Sequence, residues 1–113
     1  MRALLTLLLA VSACAPQTRA PESEPVDAAR LYQRQCAVCH GATGAGDGPS
    51  AGINRPANLR EIAPETSDAE LAAVIREGRG LMPPWGHLPD REIEALVRYV
   101  RRLAEEPTPA GGE

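Results

Sequence analysis

The sequence predicts an all-α domain, and three observations carry that expectation. Ile93, Leu96, Val97, Val100 and Leu103 fall at i, i+3, i+4, i+7 and i+10, one face of a helix. Ser67-x-x-Glu70 is a capping box that opens a second apolar stripe of Leu71, Val74 and Ile75. No run alternates apolar and polar residues for long enough to mark a strand. With 113 residues, the length allows one domain.

In chain order, the first 13 residues read as an export leader. Arg2 supplies a basic start, and Ala3 to Val11 form an apolar stretch too short to span a bilayer. Val11-Ser12-Ala13-Cys14 resembles a bacterial lipobox, which makes Cys14 the expected lipidation site and residues 1–13 a lipoprotein-type signal peptide. The competing reading is ordinary cleavage after an A-x-A site, which would discard Cys14. Residues 14–25 contain Pro16, Pro21 and Pro25 and read as a flexible tether. The folded domain is expected over 26–103.

A first helix is expected from an Asp27 cap through Leu31 and Tyr32 toward Cys36. Gly41 to Pro64 is rich in Gly and Pro with little periodicity, and so reads as a long loop. In so small a domain such a loop makes sense if it wraps a non-protein object. The second helix opens at the capping box and has Gly78 as its terminator. For the last helix Asp90 is the expected cap, with Pro89 at the first position as the alternative. Its polar face carries Arg91, Glu94, Arg98, Arg101 and Arg102. Residues 104–113 read as a disordered tail.

Composition narrows the class. Hydrophobic residues make up 43% and charged residues 24%, which excludes a disordered charged tail. All 12 basic residues are Arg, set against 15 acids for a net charge of −3. No basic patch with interleaved aromatics is present, which argues against nucleic acid as a partner. Aromatics are scarce, with one Trp, two Tyr and no Phe. A core this thin in a small domain needs outside help.

Cys36-Ala37-Val38-Cys39-His40 is the informative segment. A spacing of three puts both thiols on one side of a helical turn, within reach of the two vinyl groups on one haem edge. His40 then presents its imidazole to the iron from the same side. C-x-x-C-H is the c-type haem attachment pattern. A thioredoxin-like dithiol or half of a zinc site are the alternatives; the first lacks a βαβ context and the second lacks further ligands. Export also places the pair where disulfides form. Met82 is the candidate sixth ligand, in the stiff turn Gly80-Leu81-Met82-Pro83-Pro84-Trp85-Gly86, with core filler as its plain reading and His87 as the runner-up ligand.

With those residues in view, Asp27 to Leu103 resembles a small monohaem class I cytochrome c. C-A-V-C-H-G, G-D-G-P, P-A-N-L, G-L-M-P-P-W and E-I-E-A-L-V-R-Y-V follow in that family's order. The resemblance implies three to four helices wrapped around one covalently bound haem c. It implies Cys36 and Cys39 as thioether anchors and His40 and Met82 as axial iron ligands. It further implies a Pro49 carbonyl that accepts from His40 Nδ1, and Tyr99 packed near the haem and the first helix. Asn58, Arg60 and Trp85 are candidate haem-propionate donors, with Trp85 also a candidate haem contact. Pro89 departs from the Ser or Thr cap that the family often carries.

The function implied is one-electron transfer, not enzymatic turnover, on the periplasmic side of a membrane to which a lipid anchors the chain. Redox proteins are the implied partners: a quinol-oxidising complex and a terminal oxidase or reductase. Two other readings are a haem subunit fixed in a larger membrane complex and a sensor or enzyme with a labile Met82.

Overall fold

In the computed structural model, residues 25–109 are described. Cys14, the leader and nearly all of the expected tether lie outside them. Among the described residues there are six α-helices: α1 (Ala28–Gln35), α2 (Ala37–His40), α3 (Ala51–Asn54), α4 (Leu59–Ile62), α5 (Asp68–Glu77) and α6 (Asp90–Glu105). A 3₁₀ turn at Ala63–Glu65 follows α4, and no strand occurs among the described residues.

The expected apolar face of α6 is what organises the core. Ile93, Leu96, Val97, Val100 and Leu103 are all buried, and α6 packs against α1, α4 and α5. Burying each such side chain stabilises the fold by about 1.5–3 kcal/mol. Tyr32 and Ile93 are the most completely enclosed large side chains.

Local signals set the helix ends. Asp27 caps α1 by accepting from the Arg30 amide at 3.0 Å. Both halves of the capping box form on α5: Glu70 N–H donates to Ser67 Oγ at 3.2 Å, and Ser67 N–H donates to Glu70 Oε2 at 2.9 Å. Gly78 ends α5 at φ +72°. At α6 the order is reversed from the preferred expectation: Pro89 stands at the cap and Asp90 is the first helical residue. Proline's fixed φ and extended ψ of 145° suit the entry, and Asp90 puts a carboxylate in the positively polarised first turn. The helix also runs to Glu105, two residues into the segment expected to be a disordered tail.

The Gly/Pro-rich stretch is more ordered than its sequence suggests. It holds α3, α4 and the 3₁₀ turn, each too short for periodicity to reveal. Its first part caps α2: Gly46 N–H donates to His40 O at 2.7 Å, Gly48 N–H to Cys39 O at 3.0 Å and Ser50 N–H to Val38 O at 2.9 Å. Carbonyls at the end of a one-turn helix lack helical partners, and this loop supplies them.

Two arginines tie the middle of the chain to α6. Arg60 donates to the carbonyls of Thr43, Leu103 and Glu106. Arg101 donates to Ala63 O at 2.7 Å and Thr66 O at 2.6 Å, and pairs with Asp68. Arg101 therefore faces the 59–68 segment instead of open solvent. Its fork of donors is filled by carbonyls that amphipathic patterning does not register.

Candidate haem site

Between α2, α5, α6 and the loop before α6 lies a cavity of about 1010 Å³. Cys36, Cys39, His40 and Met82 all line it. These are the four residues that the sequence singles out, and the fold gathers them from positions up to 46 residues apart. Tyr32, Trp85, Leu96, Val97 and Val100 contribute to its walls.

Cys36 ends α1 and Cys39 lies on the turn of α2 that continues from it. Neither is in a disulfide. Burial pushes the Cys36 thiol up to about 11, with the neighbouring Cys39 as the smaller cause. No group of three or more His, Cys, Asp or Glu that could hold a metal stands among the described residues, so the zinc alternative finds no further ligands there.

His40 Nδ1 is 2.9 Å from the carbonyl of Ala57. A carbonyl only accepts, so Nδ1 carries the hydrogen and the lone pair is on Nε2. This corrects the expected Pro49 acceptor. Pro49 lies on the loop that caps α2, while the segment after Pro56 crosses beside the imidazole. A second proline-led segment, Pro56-Ala57-Asn58-Leu59, was the signal available in the sequence.

Met82 is held by a tight turn. Arg79 N–H donates to Met82 O at 3.1 Å and Met82 N–H donates to Arg79 O at 2.9 Å. Gly78 is the hinge: a Cβ there would stand 2.5 Å from Met82 O and 2.9 Å from Pro83 C. Its φ of +72° also favours glycine. Trp85 N–H donates to Ile75 O at 2.8 Å, which fixes the far end of the same turn onto α5. His87, the alternative ligand, is exposed, packs its ring 5.6 Å from Trp85 and does not line the cavity.

Three expectations need revision. Tyr99 packs on α1, its ring 5.1 Å from Tyr32, but it is Tyr32 that lines the cavity. One helical position separates Tyr99 from Val100, enough to turn it off the cavity face. Arg60 spends its donors on backbone carbonyls at the end of α6. Asn58 caps α4 by accepting from Arg60 N–H at 3.0 Å. Neither Arg60 nor Asn58 lines the cavity, whereas Trp85 does.

The donor set fits a haem. Two thiols share one wall, an imidazole is oriented through its far nitrogen, and a thioether is carried on a separate rigid turn. A family model described as cytochrome c oxidase, cbb3-type, subunit III matches residues 23–100. The chain belongs to this cytochrome c family. It is 28% identical over 79 residues to cytochrome c-551 of Bacillus subtilis (strain 168), covering 70% of this chain and 63% of that protein. It is 29% identical over 73 residues to cytochrome c6 of Bryopsis maxima, covering 64% of this chain and 83% of that protein. The match thus spans less than two thirds of the Bacillus protein's length. As a cytochrome c domain the chain carries haem c, covalently bound with its iron. Cytochromes c of this family are electron carriers, not enzymes.

Proposed function

We propose that this cytochrome c domain is a His40/Met82-ligated one-electron carrier, tethered outside the cytoplasm by a lipid on Cys14. The observation that supports it is the convergence of Cys36, Cys39, His40 and Met82 on one cavity. When bound, the haem iron supplies the one-electron couple. Cys36 and Cys39 would fix the porphyrin edge, and His40 would enter from the same wall. The Ala57 carbonyl holds the imidazole ring and strengthens it as a ligand. Met82 would close the opposite side, and a thioether there raises the reduction potential. With His40 and Met82 both holding the iron, no site would be left for O₂ or peroxide.

A partner would dock transiently and cover little area. Val38 and Leu81 line the cavity yet are 50% and 70% exposed, an apolar centre for such a contact. Arg34, Arg55 and Arg79 are exposed around it together with Glu65 and Glu70. Orientation there follows this local pattern more than the net charge, and it weakens with salt. The proposed partners are a quinol-oxidising complex and a terminal oxidase or reductase. No helix among the described residues is long and apolar enough to cross a membrane. A lipid would keep the carrier near membrane partners and raise its effective concentration.

The test is the mass and spectrum of the protein purified from membranes. Haem plus acylation at Cys14, a weak red band from Met-ligated Fe(III) and slow CO binding are the expected results. A mature chain beginning at Pro16 would defeat the lipid anchor, and rapid CO binding would defeat the carrier reading. The family description favours one second reading, a subunit held permanently in an oxidase complex. Co-purification that survives detergent and salt would support it over a shuttle.

A further inference from the structure

Helix α3 is a single turn, and its two polar ends converge on one sulfur. Ser50 Oγ lies 3.1 Å from Cys39 Sγ, and Asn54 Nδ2 donates to the same Sγ at 3.4 Å. Asn54 Nδ2 also donates to Ser50 Oγ at 3.2 Å. Ser50 Oγ donates its own hydrogen to Val38 O at 2.9 Å. With that hydrogen committed, Ser50 Oγ is an acceptor toward Cys39. The thiol thus donates to Ser50 and accepts from Asn54, so its direction is fixed from two sides.

We propose that Asn54 is a positioning residue that aims the Cys39 sulfur for haem attachment and then, as a donor to the thioether, raises the reduction potential. The proposal rests on the haem reading above. In attachment, Cys39 Sγ–H adds across a vinyl C=C: an S–C bond forms and the thiol hydrogen ends on the second vinyl carbon, with no net change of electrons. Cys39 then has no hydrogen to give Ser50, but its sulfur lone pairs remain and the Asn54 amide is the donor left to meet them. The positive end of that N–H dipole beside the porphyrin edge disfavours the more positive ferric state, and so favours reduction. Ser50 keeps its bond to Val38 O and holds α3 in place.

The experiment compares holoproteins of the parent chain, Asn54→Ala and Asn54→Gln. Two readouts are taken: the haemochrome band, which reports one or two thioethers, and the midpoint potential. Asn54→Ala adds no bulk at this half-buried position. It is expected to yield a fraction of single-thioether product. In its doubly attached fraction, the reduced-to-oxidised ratio at fixed potential is expected to fall about fivefold, or about 40 mV at 59 mV per tenfold. Asn54→Gln, which keeps the amide donor, is expected to stay near the parent in both. An unchanged Asn54→Ala, or an Asn54→Gln as impaired as Asn54→Ala, would overturn the proposal. A parent chain that takes up no haem would instead overturn the haem reading itself.

Discussion

His40 Nδ1 donates to the carbonyl of Ala57, 17 residues further along the chain, at 2.9 Å. One hydrogen bond thus links the attachment turn to the loop leading into α4. Its acceptor is backbone, so side-chain substitution at Ala57 does not remove it. Gly46 is the route to it: at φ +79°, a Cβ there would lie 3.2 Å from Pro56 O and 3.3 Å from Ala57 O. Gly46→Ala is expected to push that loop from His40 and to lose about 1–2 kcal/mol for the left-handed backbone. Thermal unfolding of the holoprotein measures the loss. The midpoint potential, expected to rise as the imidazole loses the acceptor that makes it a stronger donor to ferric iron, reports the effect on the ligand.

Met82 depends on its turn in the same way. Gly78→Ala combines positive φ with a Cβ 2.5 Å from Met82 O, so the ligand-bearing turn must move. The expected outcome is loss of the red Met–Fe(III) band and faster CO binding to the reduced form. Gly80→Ala is the control. Its φ is +56°, but nothing lies within 4 Å of the added Cβ. It is expected to lose about 1 kcal/mol of stability and to keep the band.

Much of this site is legible in the sequence because its chemistry is local or unique. Cys36, Cys39 and His40 occupy one helical turn, and Met82 stands alone in a stiff segment, so spacing and scarcity identify them. The α6 stripe and the α5 capping box are legible because 3.6-residue periodicity and N-cap chemistry act within a few residues. What was not legible depends on non-local backbone. The His40 acceptor is a carbonyl, which every residue has, so choosing Pro49 over Ala57 needed the path of the chain. Tyr99 and Val100 are neighbours in an apolar run, and only the rotation of α6 decides which meets the cavity. Arg60 looks like a free cation until the end of α6 arrives beside it.

Tyr32 joins α1 to the loop after the attachment turn. Its phenol is buried and donates to Gly41 O at 2.7 Å, and burial raises its pKa well above the usual tyrosine value. Tyr32→Phe keeps the ring against Tyr99 but leaves the Gly41 carbonyl with only the weaker Gly44 N–H donor at 3.2 Å. A loss of about 0.5–1.5 kcal/mol is expected, read as a lower denaturation midpoint. The visible spectrum is expected to stay unchanged, because no iron ligand moves.

Acid acts at the start of α5. Hydrogen bonds from the Ser67 backbone and then its side chain lower the Glu70 pKa. A carboxyl with a depressed folded pKa contributes stability above its unfolded pKa and loses it as pH falls through the folded one. Glu70→Gln can still accept from the Ser67 backbone, but it does not titrate. The melting temperature of the parent holoprotein is expected to exceed that of Glu70→Gln slightly near neutral pH. The gap is expected to close on acidification through the carboxylate range. A gap that is constant with pH would mean that the box contributes by shape alone.

The cavity itself sets the last expectation. Residues 25–109 enclose about 1010 Å³ around the attachment turn, with two Tyr and one Trp as their aromatic side chains. The cavity is open to solvent, and its apolar lining includes Val38, Ile62 and Leu81, which stand 50%, 39% and 70% exposed. Covering each such side chain is worth up to about 1.5–3 kcal/mol, against about 5–15 kcal/mol of total stability for a domain of this size. The porphyrin is then the large planar hydrophobe that the composition lacks. A Cys36→Ala, Cys39→Ala double variant, which cannot retain haem covalently, is expected to lose most of its helical circular dichroism once haem is extracted. Retention of a sharp, cooperative melting transition by that haem-free chain would show that α1, α5 and α6 suffice without it.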